Sequence, residues 1–136
     1  MDQPFEHPRD VLRDEIDQLG HVGNVRYLQW LMDAAAAHSS ALGFPWSAYE
    51  ALGAAFVVRR HQLTYLRPAF AGDRVVVSTW VTKMGKASST RAYRIHRGPD
   101  LLMEASTDWA FVELATGRPT RIPPPVSAVF VATDTV

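Results

Sequence analysis

The sequence predicts an α+β fold in a single domain. A long stretch with helical periodicity lies near the start, strand periodicity persists afterwards, and turn residues separate the strand-like runs. With 136 residues, 47% of them apolar, the chain can form one compact core but not two ordinary domains. We therefore predict one domain over residues 1–136, with a curved antiparallel sheet of about five strands wrapped around one helix.

The first part of the chain is predicted to form a strand, a loop and the long helix. The strand covers residues 11–17, and the loop over residues 18–23 has two glycines and no periodicity. From Asn24 onward, apolar residues recur at three- and four-residue spacing, which indicates a helix with Asn24 as its N-cap. Gly43 and Pro45 end this helix after about 19 residues. Residues 44–51 are expected to form a loop or a short second helix.

Four strand-like runs follow, rich in β-branched and aromatic residues and separated by turn-forming Gly, Pro and Asp. They cover residues 54–66, 74–83, 87–97 and 101–114, and we expect them to form an antiparallel meander. Residues 121–126, with three consecutive prolines, are predicted to be an extended terminus. Since one helix cannot cover both faces of such a sheet, we expect at least a homodimer.

The composition excludes several classes of function. Fourteen basic and fourteen acidic residues cancel, so no overall charge favours nucleic acid or an anionic membrane as a partner. The absence of cysteine excludes disulfides, thiolate metal sites and cysteine nucleophiles. No window reaches the roughly 18 apolar residues of a membrane helix, and residues 1–13 contain no signal-peptide core. No histidine–carboxylate spacing resembles a zinc site. We expect a cytoplasmic protein without a metal or cofactor.

The junction between the predicted first strand and the helix carries the residues best suited to chemistry. The N–H groups of a helix's first turn lack intrahelical acceptors and lie at the positive end of the helix dipole. The N–H of Asn24 can therefore polarise a carbonyl, and Asp17 can act on that carbonyl as a general base or a nucleophile. The alternative is that Asp17 and Asn24 only cap the loop and the helix, as these residue types commonly do.

This junction resembles the signature of hotdog-fold acyl-CoA thioesterases of the 4-hydroxybenzoyl-CoA thioesterase type, in the run Asp17-x-x-Gly20-His21-Val22-x-Asn24-x-x-Tyr27-x-x-Trp30. Later runs also resemble the family in the same order, so that the resemblance covers roughly residues 9–125; they are residues 56–59, 65–69, 71–73, 87–91 and 116–123. Gly23 and Glu15 depart from the common pattern, in which an asparagine and an aspartate are frequent.

The resemblance implies hydrolysis of an acyl-CoA thioester to a free acid and coenzyme A, without a metal or redox cofactor. In the family, the aspartate matching Asp17 is the catalytic carboxylate, and the N–H matching Asn24 polarises the thioester carbonyl. It also implies dimers, often paired into tetramers, with active sites between protomers. The acyl group, the choice between coenzyme A and an acyl carrier protein, and attack by Asp17 on carbon or on water stay open.

Seven residues are candidates for substrate binding: Gly20, His21, Val22, Tyr27, His61, Lys86 and Arg91. Lys86 and Arg91 suit the phosphates of coenzyme A, although both can instead belong to a solvated basic strand edge. Strand alternation places Arg91 and Arg97 on one face of the sheet and Arg94 on the other. Tyr27 and His61 can line the pocket, but core positions are the alternative for both.

Three other interpretations compete with a thioesterase. The same groove could bind an acyl thioester or another hydrophobic ligand without turnover. A hotdog hydratase or dehydratase would need a histidine and a carboxylate facing each other across the dimer, whereas His21 and Asp17 share one loop. A cone-shaped fold of the ketosteroid-isomerase-like group usually begins with more than one helix, which this sequence does not predict.

Overall fold

The computed structural model describes residues 3–132, in which five strands and three α-helices follow one another along the chain. In chain order the elements are β1 (Phe5–Asp10), a 3-10 turn (Arg13–Glu15), α1 (Asn24–Ala41), α2 (Trp46–Leu52), β2 (Ala54–Tyr65), β3 (Arg74–Met84), β4 (Ser88–Arg97), β5 (Asp100–Glu113) and α3 (Pro124–Ser127). Among these residues, no helix is long and apolar enough to cross a membrane.

The five strands form one antiparallel sheet in the spatial order β1-β3-β4-β5-β2. The predicted meander is correct for β3, β4 and β5 but wrong for β2, which pairs with β5 at one edge of the sheet. The connection over residues 66–73 explains this order. It starts beside β5, where the Leu66 N–H donates to the Leu102 carbonyl, and ends beside β1, where the Val11 N–H donates to the Asp73 carbonyl.

The strand predicted for residues 11–17 is wrong, because the first strand lies earlier, at Phe5–Asp10, where it pairs with β3. β1 contains Pro8, which is tolerated because β1 is an edge strand, where a residue without an N–H can be accommodated. Residues 11–17 form instead a turn in which the Glu15 carboxylate accepts the Leu12 N–H at 3.0 Å. Asp17 therefore lies in a loop and not at the end of a strand.

The long helix is confirmed, with 18 residues in α1, and the short second helix forms as α2. Gly23, not Asn24, is the N-cap residue of α1, and no side chain caps this end. The extended terminus predicted for residues 121–126 is wrong in part, because α3 begins at Pro124, where the fixed φ of proline favours the first turn of a helix.

Helix α1 packs on the inner face of the sheet, and the core lies between them. Trp30, Leu31 and Ala34 of α1 are fully buried against Val77 of β3 and Ile95 of β4. A second apolar cluster surrounds α2 and the C-terminal segment, where Phe111 and Val126 are buried. This arrangement leaves the N-terminal end of α1, with its preceding loop, at the surface.

Candidate active site

The loop between Asp17 and Gly23 is held in a closed turn. The Asp17 N–H donates to the His21 carbonyl at 2.9 Å, and the Gly20 N–H donates to the Asp17 carbonyl at 3.0 Å. Gly20 has a φ of +86°, a conformation that side-chain-bearing residues rarely adopt. The Val22 N–H donates to the Ala69 carbonyl at 2.9 Å, which fastens the loop to the 66–73 connection.

Asp17 is exposed, and its Cβ lies beside the N-cap residue of α1. Its Oδ1 accepts the Leu19 N–H at 2.8 Å, and Oδ2 has no hydrogen-bond donor among residues 3–132. A Cβ atom placed on Gly23, the N-cap of α1, would lie 3.8 Å from the Asp17 Cβ. One carboxylate oxygen is therefore fixed by the loop while the other can reach a water molecule or a bound group.

The first turn of α1, which directly follows the Asp17 loop, supplies hydrogen-bond donors without an intrahelical acceptor. Asn24 is the first residue of the helix and is exposed, and the first helical N–H to find a local acceptor is that of Arg26, which donates to the Gly23 carbonyl at 3.0 Å. The N–H groups of Asn24 and Val25 have no acceptor within the helix. They lie at its positive end, where a carbonyl oxygen that gains negative charge is stabilised.

A cavity of about 230 Å³ opens at this end of the helix. Four of the residues chosen from the sequence line it: His21, Val22, Asn24 and Tyr27. The opposite wall consists of residues 65–68, none of which the sequence analysis predicted to bind substrate. The resemblance includes this segment, but only the contact between Ala69 and Val22 shows that it faces the loop.

Tyr27 joins α1 to the wall of this cavity. It is buried, and its hydroxyl oxygen accepts the Ala69 N–H at 3.0 Å. Its ring meets those of Trp30 and Tyr65 edge-on, with centroids 5.1 Å and 5.5 Å away. Burial raises the pKa of Tyr27, so the phenol is neutral near pH 7. Tyr27 is thus a buried core residue and also lines the cavity, whereas the sequence analysis gave these two roles as alternatives.

The buried Glu15 holds the Asp17 loop in place, a role that the sequence did not predict. Its side chain is 7% exposed, and its carboxylate accepts hydrogen bonds from Arg9 at 2.9 Å and from the Trp30 indole at 2.8 Å. Burial alone would raise the pKa of Glu15, but the Leu12 and Trp30 hydrogen bonds and the Arg9 charge together lower it. Its carbonyl accepts the Gly23 N–H at 3.1 Å, so Glu15 connects β1, α1 and the loop.

The other candidate residues, Asp17, Gly20, His61, Lys86 and Arg91, do not line this cavity. His61 lies on β2, with its Nδ1 2.8 Å from the Thr107 hydroxyl, and burial lowers its pKa. Lys86 is exposed in the turn between β3 and β4. Among residues 3–132, no group of three or more His, Asp or Glu side chains is placed to hold a metal ion.

Arg91 lies on the inner face of the sheet, and only 5% of it is exposed. Its Nη1 donates to His38 Nδ1 at 2.9 Å and to the Thr79 hydroxyl at 3.1 Å. The expectation that Arg91 meets the phosphates of coenzyme A does not fit this position. The phosphates of coenzyme A belong to a large polar nucleotide, whereas this guanidinium lies in the core under the C-terminal half of α1.

Comparison with known proteins agrees with the fold and the motif. The family model of the thioesterase-like superfamily matches residues 11–130. The acyl-CoA thioesterase YbgC of Haemophilus influenzae is 28% identical over 131 residues, covering 96% of each chain. The putative acyl-CoA thioesterase YneP of Bacillus subtilis is 27% identical over 111 residues, covering 81% of this chain and 80% of that protein.

A solved structure with the same architecture is that of Slr0204, a 1,4-dihydroxy-2-naphthoyl-CoA thioesterase from Synechocystis. It superposes with a TM-score of 0.86 at 21% identity and covers 94% of this chain and 96% of its own. The curved five-stranded sheet around α1 is the hotdog fold, as the resemblance implied. With a family model that matches nearly the whole chain, this protein belongs to the thioesterase-like superfamily.

Proposed function

We propose that this protein hydrolyses an acyl-CoA thioester to a free acid and coenzyme A. One observation carries the proposal: Asp17 lies in the loop that leads into α1, with its Cβ near the N-cap Gly23, and the first residue of α1, Asn24, lines a cavity. An acid–base group and a carbonyl-polarising donor are the two elements that acyl transfer to water needs. The names of YbgC and YneP support the same reaction.

In the proposed mechanism, the thioester carbonyl oxygen accepts a hydrogen bond from the Asn24 N–H. Asp17 removes a proton from a water molecule as its oxygen attacks the carbonyl carbon. The carbon–sulfur bond then breaks, the acid is released, and the coenzyme A thiolate takes up a proton from Asp17. In the alternative sequence, Asp17 attacks the carbon, expels the thiolate and forms an anhydride that water hydrolyses.

The remaining contacts position the substrate. Gly20 gives the loop its turn, and His21, Val22 and Tyr27 line the cavity that receives the thioester. Arg67 contributes a guanidinium to the opposite wall, where its Nη1 lies 3.1 Å from Asp100. We assign phosphate contacts to Arg67 and, if coenzyme A extends across the sheet, to Lys86. His61 remains a candidate for the acyl part of the site.

We also propose a homodimer that forms along β2, with pairing of dimers as the larger alternative. Strand β2 is one of the two edges of the described sheet, the other being β1. Val57, Val58 and Tyr65 on this strand are exposed by 37%, 39% and 47%. Long edge strands with apolar side chains are prone to pair with another chain. Because Tyr65 also lines the cavity at α1, such a dimer would bring each active site close to the partner.

Thiol release from a panel of acyl-CoA thioesters tests the activity. The panel runs from acetyl through palmitoyl and includes benzoyl and phenylacetyl, each measured with and without the protein. The proposal predicts release of one coenzyme A per free acid formed, with at least one member turned over well above the uncatalysed rate. A panel that gives no release with any member, with correctly folded protein, would contradict the proposal.

A binding protein without turnover is the second candidate. It is favoured by the hydrogen bond that Asp17 accepts from Leu19, because such a bond is the usual role of an aspartate in a loop. This candidate predicts that an acyl-CoA thioester raises the melting temperature while no thiol is released. Thermal denaturation with the same panel of thioesters therefore separates the two candidates.

A further inference from the structure

A second cavity, of about 170 Å³, lies between the C-terminal half of α1, α2 and the inner face of the sheet. Its lining is largely apolar and includes Met32, Ala36, Trp46, Phe56, Trp109 and Phe130. Trp46 is 58% exposed, which places it at the mouth of the cavity. Met32 follows Asn24 by eight residues of α1, or about 12 Å along the helix axis. The cavity is thus separate from the one at the Asp17 loop.

Arg91 is the only charged residue among the described residues that line this cavity. Its guanidinium carbon lies 5.9 Å from the centre of the Phe130 ring. No carboxylate of residues 3–132 forms an ion pair with it. Its hydrogen-bond partners, His38 and Thr79, are neutral, since burial and the Arg91 charge lower the pKa of His38 to about 4.

This guanidinium has donors that the described residues do not use. Arginine carries five N–H groups, and the two on Nη1 are directed to His38 and Thr79. The N–H groups on Nε and Nη2 have no acceptor among residues 3–132. Burial of a cation is costly unless an anion accompanies it. The geometry thus combines an uncompensated cation, unused donors and an apolar space next to them.

The size and lining of the cavity define the ligand that fits. An engineered apolar cavity of about 150 Å³ accommodates benzene, so this one can hold an aromatic ring or a short aliphatic chain. We infer that the cavity binds an organic carboxylate, whose hydrocarbon part fills the apolar space and whose carboxylate pairs with Arg91. Planar guanidinium and carboxylate groups form paired, charge-assisted hydrogen bonds.

Two sources can supply this carboxylate. One is a free organic acid that enters past Trp46. The other is the far end of an α,ω-dicarboxylic acyl group, whose thioester lies at Asn24 and whose chain runs along α1 to Arg91. The second source rests on the proposed function, whereas the anion site itself does not.

Binding of small probes tests the anion site. Hexanoate and benzoate are titrated into the full chain in parallel with hexanol and benzyl alcohol, by calorimetry and by the indole NMR signals of Trp46 and Trp109. The expected result is that the acids bind at least about tenfold more tightly than the alcohols, because of charge-assisted hydrogen bonds. Equal binding of acids and alcohols, or no change in the indole signals with the acids, would overturn the inference.

Two substitutions sharpen this test. Arg91→Met should remove the preference for acids, and Arg91→Lys should keep part of it because the charge remains. Arg94→Met, on the opposite face of the same strand, is the matched control and should leave the binding of acids unchanged. If Arg91→Met does not fold, the role of Arg91 is tested by comparing the preference for acids between Arg91→Lys and the wild type. Acids that bind Arg91→Met as tightly as the wild type would contradict the role of Arg91.

The turnover of dodecanoyl-CoA and dodecanedioyl-CoA distinguishes the two sources. If the acyl chain supplies the carboxylate, the wild type prefers the dicarboxylic thioester, and Arg91→Met loses this preference mainly through KM. If the free acids bind through Arg91 but neither thioester depends on it, the ligand is a free acid. If no thioester is hydrolysed, the proposed function is wrong. The titrations with acids and alcohols still show whether the cavity at Arg91 binds a carboxylate.

Discussion

At the scale of single residues, the site combines groups held by very different environments. Asp17 is exposed and bonded through one oxygen, whereas Glu15, two residues earlier, is buried and paired with Arg9. The motif resemblance identified Asp17, but nothing in the spacing showed that Glu15 supports the loop. This difference arises because an ion pair joins Glu15 to Arg9 of β1 and a hydrogen bond joins it to Trp30 of α1, and such contacts have no periodicity.

His38 should make the protein less stable as the pH falls below neutral. The pKa of His38 is lowered to about 4 from an ordinary value of 6.5, chiefly by burial and then by the Arg91 charge. Between these two pH values the unfolded chain binds a proton that the folded chain does not, so the free energy of unfolding falls as the pH drops from 6.5 towards 4. The same contribution is fully present above pH 6.5.

The variant His38→Gln isolates this contribution. Glutamine does not titrate and can still offer an oxygen to Arg91. We expect urea denaturation to show a smaller loss of stability between pH 7 and pH 5 for His38→Gln than for the wild type. Equal losses in the two proteins would show that His38 is not the group responsible.

At the scale of elements, the local signals predicted α1 and the bounds of the last four strands well. The helix has a continuous apolar face, and the strands end at glycine and proline turns. The predicted position of the first strand was wrong because the residues of β1 are partly exposed and include Pro8. Such a segment resembles a loop when it is considered without its partner strand. Its partner is β3, some seventy residues away in the chain, as in the pair Phe5 and Thr79, and pairing at that distance is not visible in local periodicity.

Two glycines in the Asp17 loop should respond differently to replacement by alanine. Gly20 has a φ of +86°, so Gly20→Ala should cost about 1 kcal/mol of stability although no atom lies within 4 Å of the new Cβ. Gly23 has a φ of −68°, and its Cβ would meet Asp17 at an ordinary contact distance of 3.8 Å. Gly23→Ala introduces no backbone strain and should therefore cost less stability than Gly20→Ala, with the N-cap preference for glycine opposing the entropic gain from alanine.

Chemical denaturation of the two variants at neutral pH measures this contrast. Each serves as the control for the other, because both alter the same loop by one methyl group. A larger loss for Gly23→Ala than for Gly20→Ala would show that the loop conformation described above is not the one that determines stability.

At the scale of the whole molecule, the order of the sheet places α1 on one face and leaves β2 as a free edge. The sequence predicted the α+β class and the helix-on-sheet arrangement, because these depend on composition and periodicity. It could not predict that residues 65–68 face the Asp17 loop, since their approach depends on where β2 lies in the sheet. The sequence offered Arg91 as a contact for the phosphates of coenzyme A, with a solvated basic strand edge as the alternative, whereas the fold buries it under α1.

The proposed dimer should depend on the apolar side chains of β2. Introducing lysine at both Val57 and Val58 places like charges at the edge of both partners, and we expect the dissociation constant of the dimer to rise at least about tenfold. Sedimentation equilibrium measures this change. Leu12→Lys, near the opposite edge of the sheet, is the control and should not alter the assembly. A wild type that is monomeric at micromolar concentrations would contradict the proposal.

The value of kcat/KM for Asp17→Asn, measured with the thioester that the wild type hydrolyses fastest, tests the proposed active site most directly. Asparagine keeps the shape of the side chain and its bond to Leu19 but cannot accept a proton from water. Asp14→Asn, an exposed acid in the preceding turn, is the matched control. The proposed mechanism predicts a loss of at least about a hundredfold for Asp17→Asn and near wild-type activity for the control. Equal activity of Asp17→Asn and the wild type would show that Asp17 only caps the loop.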